Sequence, residues 1–150
     1  MKIVSVECLV LDEEYPYVIL HTDEGLIGFG ECFRRAPYIS KAAIETVFAP
    51  LVVGKSPFDS EAIWEQMLKA GAVVGPVGAL LTAAAGVDLA LWDLKGKALD
   101  TPIYNLIGGK RRDKIKVYAS SLIRGLSPVE EAKRVADFRD KGYPAYKMHS

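Results

Sequence analysis

The first thirty residues alternate between apolar and polar positions in short runs. Residues 2–11, 17–22 and 26–32 are rich in β-branched and apolar side chains with polar ones interspersed, which is typical of β-strands. The polar stretch 12–16 ends at a proline and predicts a loop, and Asp-Glu-Gly at 23–25 predicts a hairpin turn. We therefore expect the chain to begin with a three-stranded antiparallel sheet.

Gly25 ends the predicted turn, and Gly28 and Gly30 lie within the third predicted strand. Their spacing differs from that of the dinucleotide-binding fingerprint, and no helical pattern follows Gly30 directly. A bulge or close backbone packing is the better explanation of Gly28 and Gly30.

The pattern becomes helical after residue 38. Apolar residues every four positions predict a helix over 39–52, and a second helix is predicted within 56–71, ending at Gly71. A loop at 75–78 precedes a long helix over 79–99, which is apolar almost all round as far as Trp92 and is therefore predicted to be deeply buried. A short helix begun by a proline is predicted within 101–109.

The last part of the chain predicts a strand, a helix and a strand joined by short links. The strands fall at 114–121 and 145–150 and the helix at 127–142, which together make a βαβ unit with parallel strands. We expect an α+β domain over 1–113 and the start of an α/β domain over 114–150. Because two parallel strands and one helix cannot bury their own faces, we expect this chain to be the N-terminal part of a longer polypeptide.

Composition narrows the class of protein. Of the 150 residues, 50% are hydrophobic and 25% charged, with a formal net charge of zero. This balance is typical of a globular protein, and it contains no excess of basic residues that would suggest binding to nucleic acid. The sequence shows neither a run of about 18 apolar residues that could cross a membrane nor a signal peptide. Cys8 and Cys32 are therefore expected to be reduced in a cytoplasmic protein.

Several stretches together resemble the enolase superfamily, in particular its mandelate racemase and muconate lactonising branch. They are TDEGLIGFGEC at 22–32, AGVDLALWDLKGKALDTPIYNLIGGKRRDKIKVYAS at 85–120, and GYPAYKMHS at 142–150. The resemblance implies that residues 1–113 form an N-terminal capping domain with a three-stranded antiparallel sheet and a helical bundle. It implies that residues 114–150 begin a modified (β/α)7β barrel of the TIM type.

The resemblance also implies a chemistry. Members of the branch abstract the proton α to a carboxylate, hold the enediolate with one Mg²⁺, and then dehydrate, racemise or cycloisomerise it. Their metal ligands are carboxylates of later barrel strands, so we expect the Mg²⁺ ligands downstream of residue 150 and none in this segment. Glu31 and Asp88 lie in the cap and are not candidates, and Asp88 is instead expected to be a structural hydrogen-bond partner.

Lys147 and His149 are the candidate catalytic residues. On a strand they would share one face, opposite Tyr146 and Met148. The family's second barrel strand usually ends in Lys-x-Lys, so the resemblance implies that Lys147 neutralises the substrate carboxylate or the enediolate. His149 stands in place of the second lysine and is interpreted as a base, an acid, or only a hydrogen-bond donor. The alternative is a polar residue of the barrel interior without a role in proton transfer.

Two loops of the cap determine substrate specificity in this family. Here they correspond to 12–16, which is short, and 33–38. The residues implied to bind substrate are Glu14, Tyr15, Arg34, Arg35 and Tyr38. The arginines suit a polyhydroxylated substrate or a second carboxylate, although each could equally be a solvated surface residue.

The segment LWDLKGKALDTPIYNLIGG at 91–109 is similar to the sugar-acid dehydratases, the galactonate dehydratases among them. The resemblance thus implies a lyase that converts a sugar acid to a 2-keto-3-deoxy acid. The alternatives are a racemase, epimerase or cycloisomerase of the same branch, or a non-catalytic fragment. A small-molecule carboxylate and further copies of the chain, from a dimer to an octamer, are the implied partners, without nucleic acid or membrane.

Overall fold

The computed structural model describes residues 1–73, 75 and 77–149. The chain divides into two compact units, Met1–Gly109 and Lys110–Ser150. Pro76 of the predicted loop and Ser150 of the last predicted strand lie outside the described residues.

The first unit opens with the predicted three-stranded sheet. Its strands are β1 (Ile3–Leu11), β2 (Tyr15–Thr22) and β3 (Ile27–Glu31), in the order β1-β2-β3. Both neighbouring pairs are antiparallel, which confirms the prediction; Leu20, for example, pairs with Val6 on one side and Gly28 on the other. Alternate residues of β2 are buried, so one face of the sheet lies on the core.

The loop predicted at 12–16 is shorter in the structure, because β2 already begins at Tyr15. A turn is closed by the Glu14 N–H, which donates to the Leu11 carbonyl at 3.0 Å. Asp12 and Glu13 both have positive φ angles (48° and 57°), the φ pattern of a type I′ turn. Pro16 is buried within β2. A proline is tolerated in this strand because its fixed φ is compatible with an extended backbone.

Helices complete the first unit. The predicted helix 39–52 is present, but its middle turn is π-helical. The elements are α1 (Pro37–Ala42), the π-helix Ala43–Phe48, α2 (Ala49–Val52), the 3-10 turn Pro57–Asp59, α3 (Ser60–Gly71), α4 (Ala79–Ala98) and α5 (Ile103–Leu106).

Helix α4 packs along the inner face of the sheet. Val18 and Leu20 of β2 and Val87, Leu91 and Leu94 of α4 are fully buried in one core. The deep burial predicted for the whole circumference of this helix is wrong, because Leu81 is 36% and Leu89 51% exposed within the described residues. The sheet packs on one side of α4, and α3 and the π-helix pack on others, but the side that carries Leu81 and Leu89 is left open.

The second unit contains the predicted strand, helix and strand. They are β4 (Ala119–Ser120), α6 (Pro128–Asp140) and β5 (Tyr146–Lys147), and the two strands pair in parallel. Helix α6 begins with a capping box between Ser127 and Glu130. Both strands were predicted too long. Ile115, for example, is 74% exposed, so no packing within the described residues favours a longer strand there.

Candidate functional site

The two candidate substrate loops are joined by an ion pair. Arg34 donates from Nη1 to Glu14 Oε1 at 2.6 Å, with the two side chains 31% and 44% exposed. Glu14 closes the turn between β1 and β2, and Arg34 lies between β3 and α1. The sequence predicted both as substrate-binding residues, and the structure brings them together.

The other three candidates of the first unit belong to the same two segments of the chain, 12–16 and 33–38. Tyr15 is the first residue of β2, half-buried and paired with Leu11. Arg35 is exposed and makes no hydrogen bond or ion pair with any residue the structure describes. Tyr38 lies on the first turn of α1 and is 59% exposed.

Lys147 lies on β5 in the second unit and is exposed. Its neighbour Tyr146 points towards α6, where its hydroxyl donates to Glu131 Oε1 at 2.9 Å. The Phe138 ring stacks on the Tyr146 ring with centroids 5.4 Å apart. Tyr146 is thus held on the helix side of the strand, and alternation directs Lys147 to the opposite side.

His149 lies beyond β5, so the alternation argument used for Lys147 does not extend to it. The imidazole is half-buried, and Nδ1 is hydrogen-bonded to the backbone carbonyl oxygen of Ser121. A carbonyl only accepts, so Nδ1 must carry the proton of this bond. In the neutral imidazole the lone pair then lies on Nε2, which is the atom available as a base.

The sequence reasoning missed Ser121 and Glu131. Glu131 is 8% exposed although it lies in the first turn of α6, where an acidic residue is usually explained by the helix dipole. The sequence contains one indication for Ser121: it follows β4, and parallel pairing places the end of β4 beside the end of β5.

Burial keeps the two cysteines of the first unit unreactive. Cys8 and Cys32 are 2% and 4% exposed, and both are free thiols. Burial raises the pKa of Cys8 to about 11 and that of Cys32 to about 12. Thiols with such pKa values are almost wholly protonated near neutral pH and are poor nucleophiles and metal ligands.

Asp88 was expected to be a buried structural carboxylate. The structure places it half-buried on α4, and burial raises its pKa while Lys95 and a hydrogen bond with Trp92 oppose that rise. No cluster of three or more His, Cys, Asp or Glu side chains able to hold a metal ion is found among the described residues. Within the same ranges, no helix has both the length and the apolar character needed to cross a membrane.

Comparison with known families gives a match over residues 6–108, to the family described as mandelate racemase / muconate lactonizing enzyme, N-terminal domain. Among curated proteins, the chain is 36% identical over 152 residues to the D-galactonate dehydratase of Klebsiella pneumoniae (strain 342). That alignment covers 99% of this chain and 38% of the relative, so the chain spans about two fifths of the relative's length.

Solved structures agree with this match. A mandelate racemase/muconate lactonizing protein from Paracoccus denitrificans PD1222, complexed with magnesium, has a TM-score of 0.88 at 29% identity. It is matched over 97% of this chain and 41% of its own. An enolase superfamily member from Salmonella Typhimurium has a TM-score of 0.82 at 33% identity, over 97% of this chain and 41% of that one.

Proposed function

The chain belongs to the mandelate racemase / muconate lactonizing enzyme family, with the three-stranded sheet and helices of its N-terminal capping domain, and from this membership we propose a function. The protein that contains this chain removes the proton α to the carboxylate of a sugar acid and expels a hydroxyl group, giving a 2-keto-3-deoxy acid. The observation that carries the proposal is the 36% identity, over nearly the whole chain, to a D-galactonate dehydratase.

Lys147 supplies positive charge in this proposal. Its exposed ammonium group lies on the side of β5 opposite Tyr146 and is available to a carboxylate. Loss of the α-proton adds negative charge to that carboxylate in the transition state. A fixed cation there lowers the barrier more than it strengthens ground-state binding.

His149 transfers a proton through Nε2. Because Nδ1 is engaged by the Ser121 carbonyl, the ring is oriented and its neutral form presents a lone pair at Nε2. As a base, Nε2 takes the α-proton; as an acid, protonated Nε2 gives a proton to the departing hydroxyl, which leaves as water. A donor-only role would also require a proton on Nε2. Because Nδ1 donates to Ser121, only the doubly protonated ring could fill that role.

The substrate-binding side chains in this proposal come from the two loops of the first unit. Arg34 and Arg35 provide guanidinium groups suited to a carboxylate, and Glu14, Tyr15 and Tyr38 provide groups that hydrogen-bond to hydroxyls. The tight turn at residues 12–14 leaves room for a hydrophilic, extended substrate such as a sugar acid.

The proposed activity requires Mg²⁺. The described residues of this chain contain no group of three or more His, Cys, Asp or Glu side chains that could hold the ion. We place its ligands downstream of residue 150. The magnesium bound to the Paracoccus denitrificans protein supports the choice of metal.

Proton NMR in D₂O tests the reaction on the polypeptide that contains this chain. Incubation with Mg²⁺ and a panel of sugar acids should yield a 2-keto-3-deoxy acid, deuterated at C3. Exchange of the α-proton with an unchanged carbon skeleton would instead indicate a racemase or epimerase. This alternative is favoured by solved relatives with names such as putative isomerase from Sinorhizobium meliloti. Neither product nor exchange with any acid of the panel would refute the proposal and favour a non-catalytic protein.

A cytoplasmic homo-oligomer completes the proposal. The reduced thiols favour a reducing compartment. The exposed apolar side of α4, with Leu81 and Leu89, provides surface that further protein could cover. Light scattering at micromolar concentration should report a dimer or larger assembly, and a monomer would contradict this part.

A further inference from the structure

We infer that Glu14 and Arg34 act as a clamp that holds the two substrate loops as one body, and that Arg35, rather than Arg34, is the arginine of these loops that binds the substrate. The inference rests on the proposed function and divides the proposed substrate-binding residues into two roles. Glu14 and Arg34 become positioning residues, and Arg35 becomes a determinant of specificity.

The clamp continues a row of contacts between the two loops. Next to the ion pair, the Cys32 N–H donates to the Pro16 carbonyl at 2.8 Å. One position further along β2, the Tyr17 hydroxyl donates to Glu31 Oε2 at 3.1 Å. The Glu14–Arg34 contact is the last of this row, and it extends the pairing of β2 and β3 beyond the ends of the ladder.

The backbone on both sides of the clamp needs support. Asp12 and Glu13 in the first loop, and Ala36 in the second, have positive φ angles, and none of them is glycine. Such conformations are disfavoured for residues with a Cβ and persist only where the surroundings hold them. The ion pair between Glu14 and Arg34 joins the two segments that contain these residues, so it can stabilise the backbone conformation of both.

The clamp also determines which arginine keeps its charge for substrate. Glu14 compensates the charge of Arg34 at 2.6 Å. Arg35 is exposed and has no such partner among the described residues. Hydroxyl groups of the substrate, or a second carboxylate other than the one that Lys147 neutralises, are therefore expected to bind Arg35, whose guanidinium can bind a carboxylate through two parallel hydrogen bonds.

Exchanging the charges of Glu14 and Arg34 distinguishes a positioning role of Arg34 from a substrate-binding role. In the full polypeptide, Glu14→Gln and Arg34→Gln should each lower kcat and accelerate amide hydrogen exchange in residues 12–16 and 33–36 by about two- to fivefold. The double variant Glu14→Arg with Arg34→Glu restores the ion pair and should recover both readouts. Arg35→Gln, one residue away, is the matched comparison: it should raise KM about 10- to 100-fold with little change in kcat or in exchange.

The two readouts distinguish failure of the clamp from failure of the proposed function. One outcome is that the double variant regains the wild-type rate of amide hydrogen exchange while its kcat stays as low as that of Arg34→Gln. That result would show that Arg34 itself binds substrate, and it would overturn the inference. Unchanged exchange in both single variants would show that no clamp exists. If exchange behaves as expected but the wild-type protein turns over no sugar acid, the clamp stands and the proposed function fails.

Discussion

Gly30 of β3 lies directly against the backbone of Gly86 in α4. A Cβ atom at Gly30 would be 2.0 Å from the Gly86 carbonyl oxygen and 2.7 Å from the Ala90 nitrogen. At Gly28 it would be 2.4 Å from the Ala90 carbonyl oxygen. The two glycines therefore let the helix backbone approach the strand backbone, and close packing rather than a bulge explains them.

Substitution of Gly30 by alanine should destabilise the fold by about 2–3 kcal/mol, because a methyl group there must displace helix backbone. Urea denaturation monitored by circular dichroism measures the change. Gly71→Ala is the control, since among the described residues its Cβ would meet only Leu80, at 3.5 Å from Cδ1 and 3.9 Å from Cβ, and alanine favours the helix. Equal stability of the Gly30→Ala and wild-type proteins would contradict the packing argument.

Glu45 should make the stability of the protein pH-dependent. Its carboxylate accepts hydrogen bonds from Lys41 Nζ at 2.6 Å and from the Cys8 N–H of edge strand β1 at 3.2 Å. The hydrogen bond from Lys41 lowers the pKa of Glu45 below 4.5, with burial opposing it. A lowered folded pKa contributes stability that is present above the unfolded value and is lost as the pH falls through the folded one.

Glu45→Gln should therefore be less stable than wild type at neutral pH, by at most about 1 kcal/mol because the pair is partly exposed. The difference should shrink steadily as the pH falls below 4.5. Urea titrations at several pH values give the comparison. Glu65→Gln, which loses a longer and more exposed pair with Lys69 at 3.6 Å, is the matched control and should change less.

Both cysteines should resist thiol reagents in the folded protein. Burial raises their pKa values to about 11 and about 12, so little thiolate exists at pH 8 and reagents cannot reach it. A chromogenic disulfide reagent should label neither thiol of this chain within minutes and both after denaturation in guanidinium. Rapid labelling of the native Cys32, followed by mass spectrometry, would show that the core opens readily.

Lys147→Ala should remove most of the activity of the full polypeptide while it leaves the fold intact. The expected loss in kcat is about 10²–10³, the effect of deleting one electrostatic stabiliser. Because the proposed role of Lys147 is electrostatic, the melting temperature should stay unchanged. A melting temperature that falls together with the activity would assign the residue to stability instead.

His149→Ala should lower kcat by about 10²–10⁴ if Nε2 transfers a proton. His149→Asn should not recover the rate, although its amide can still donate to Ser121. Substantial recovery by asparagine would show that His149 is only a hydrogen-bond donor. α-Proton exchange in D₂O then assigns the step: exchange that persists without dehydration identifies an acid, and loss of both identifies a base.

Local patterns were sufficient to predict the elements of the first unit. Alternation along β1 to β3 and the four-residue spacing of the helix after residue 38 are properties of neighbouring residues. The capping domain and the start of the barrel were predicted from the resemblance of three segments. The family match over residues 6–108 confirms the capping domain, and the start of the barrel stays a prediction.

The tertiary structure decided everything that depends on residues distant in the chain. Gly30 meets Gly86, Glu14 meets Arg34, and His149 meets the Ser121 carbonyl only because the fold brings distant segments together. The short β4 and β5 have the same origin, since a strand extends only as far as a partner and a packed face support it. The spacing of apolar residues reports the structural preference of one segment by itself. The contacts of that segment, and the length of a strand, depend on the residues that pack against it.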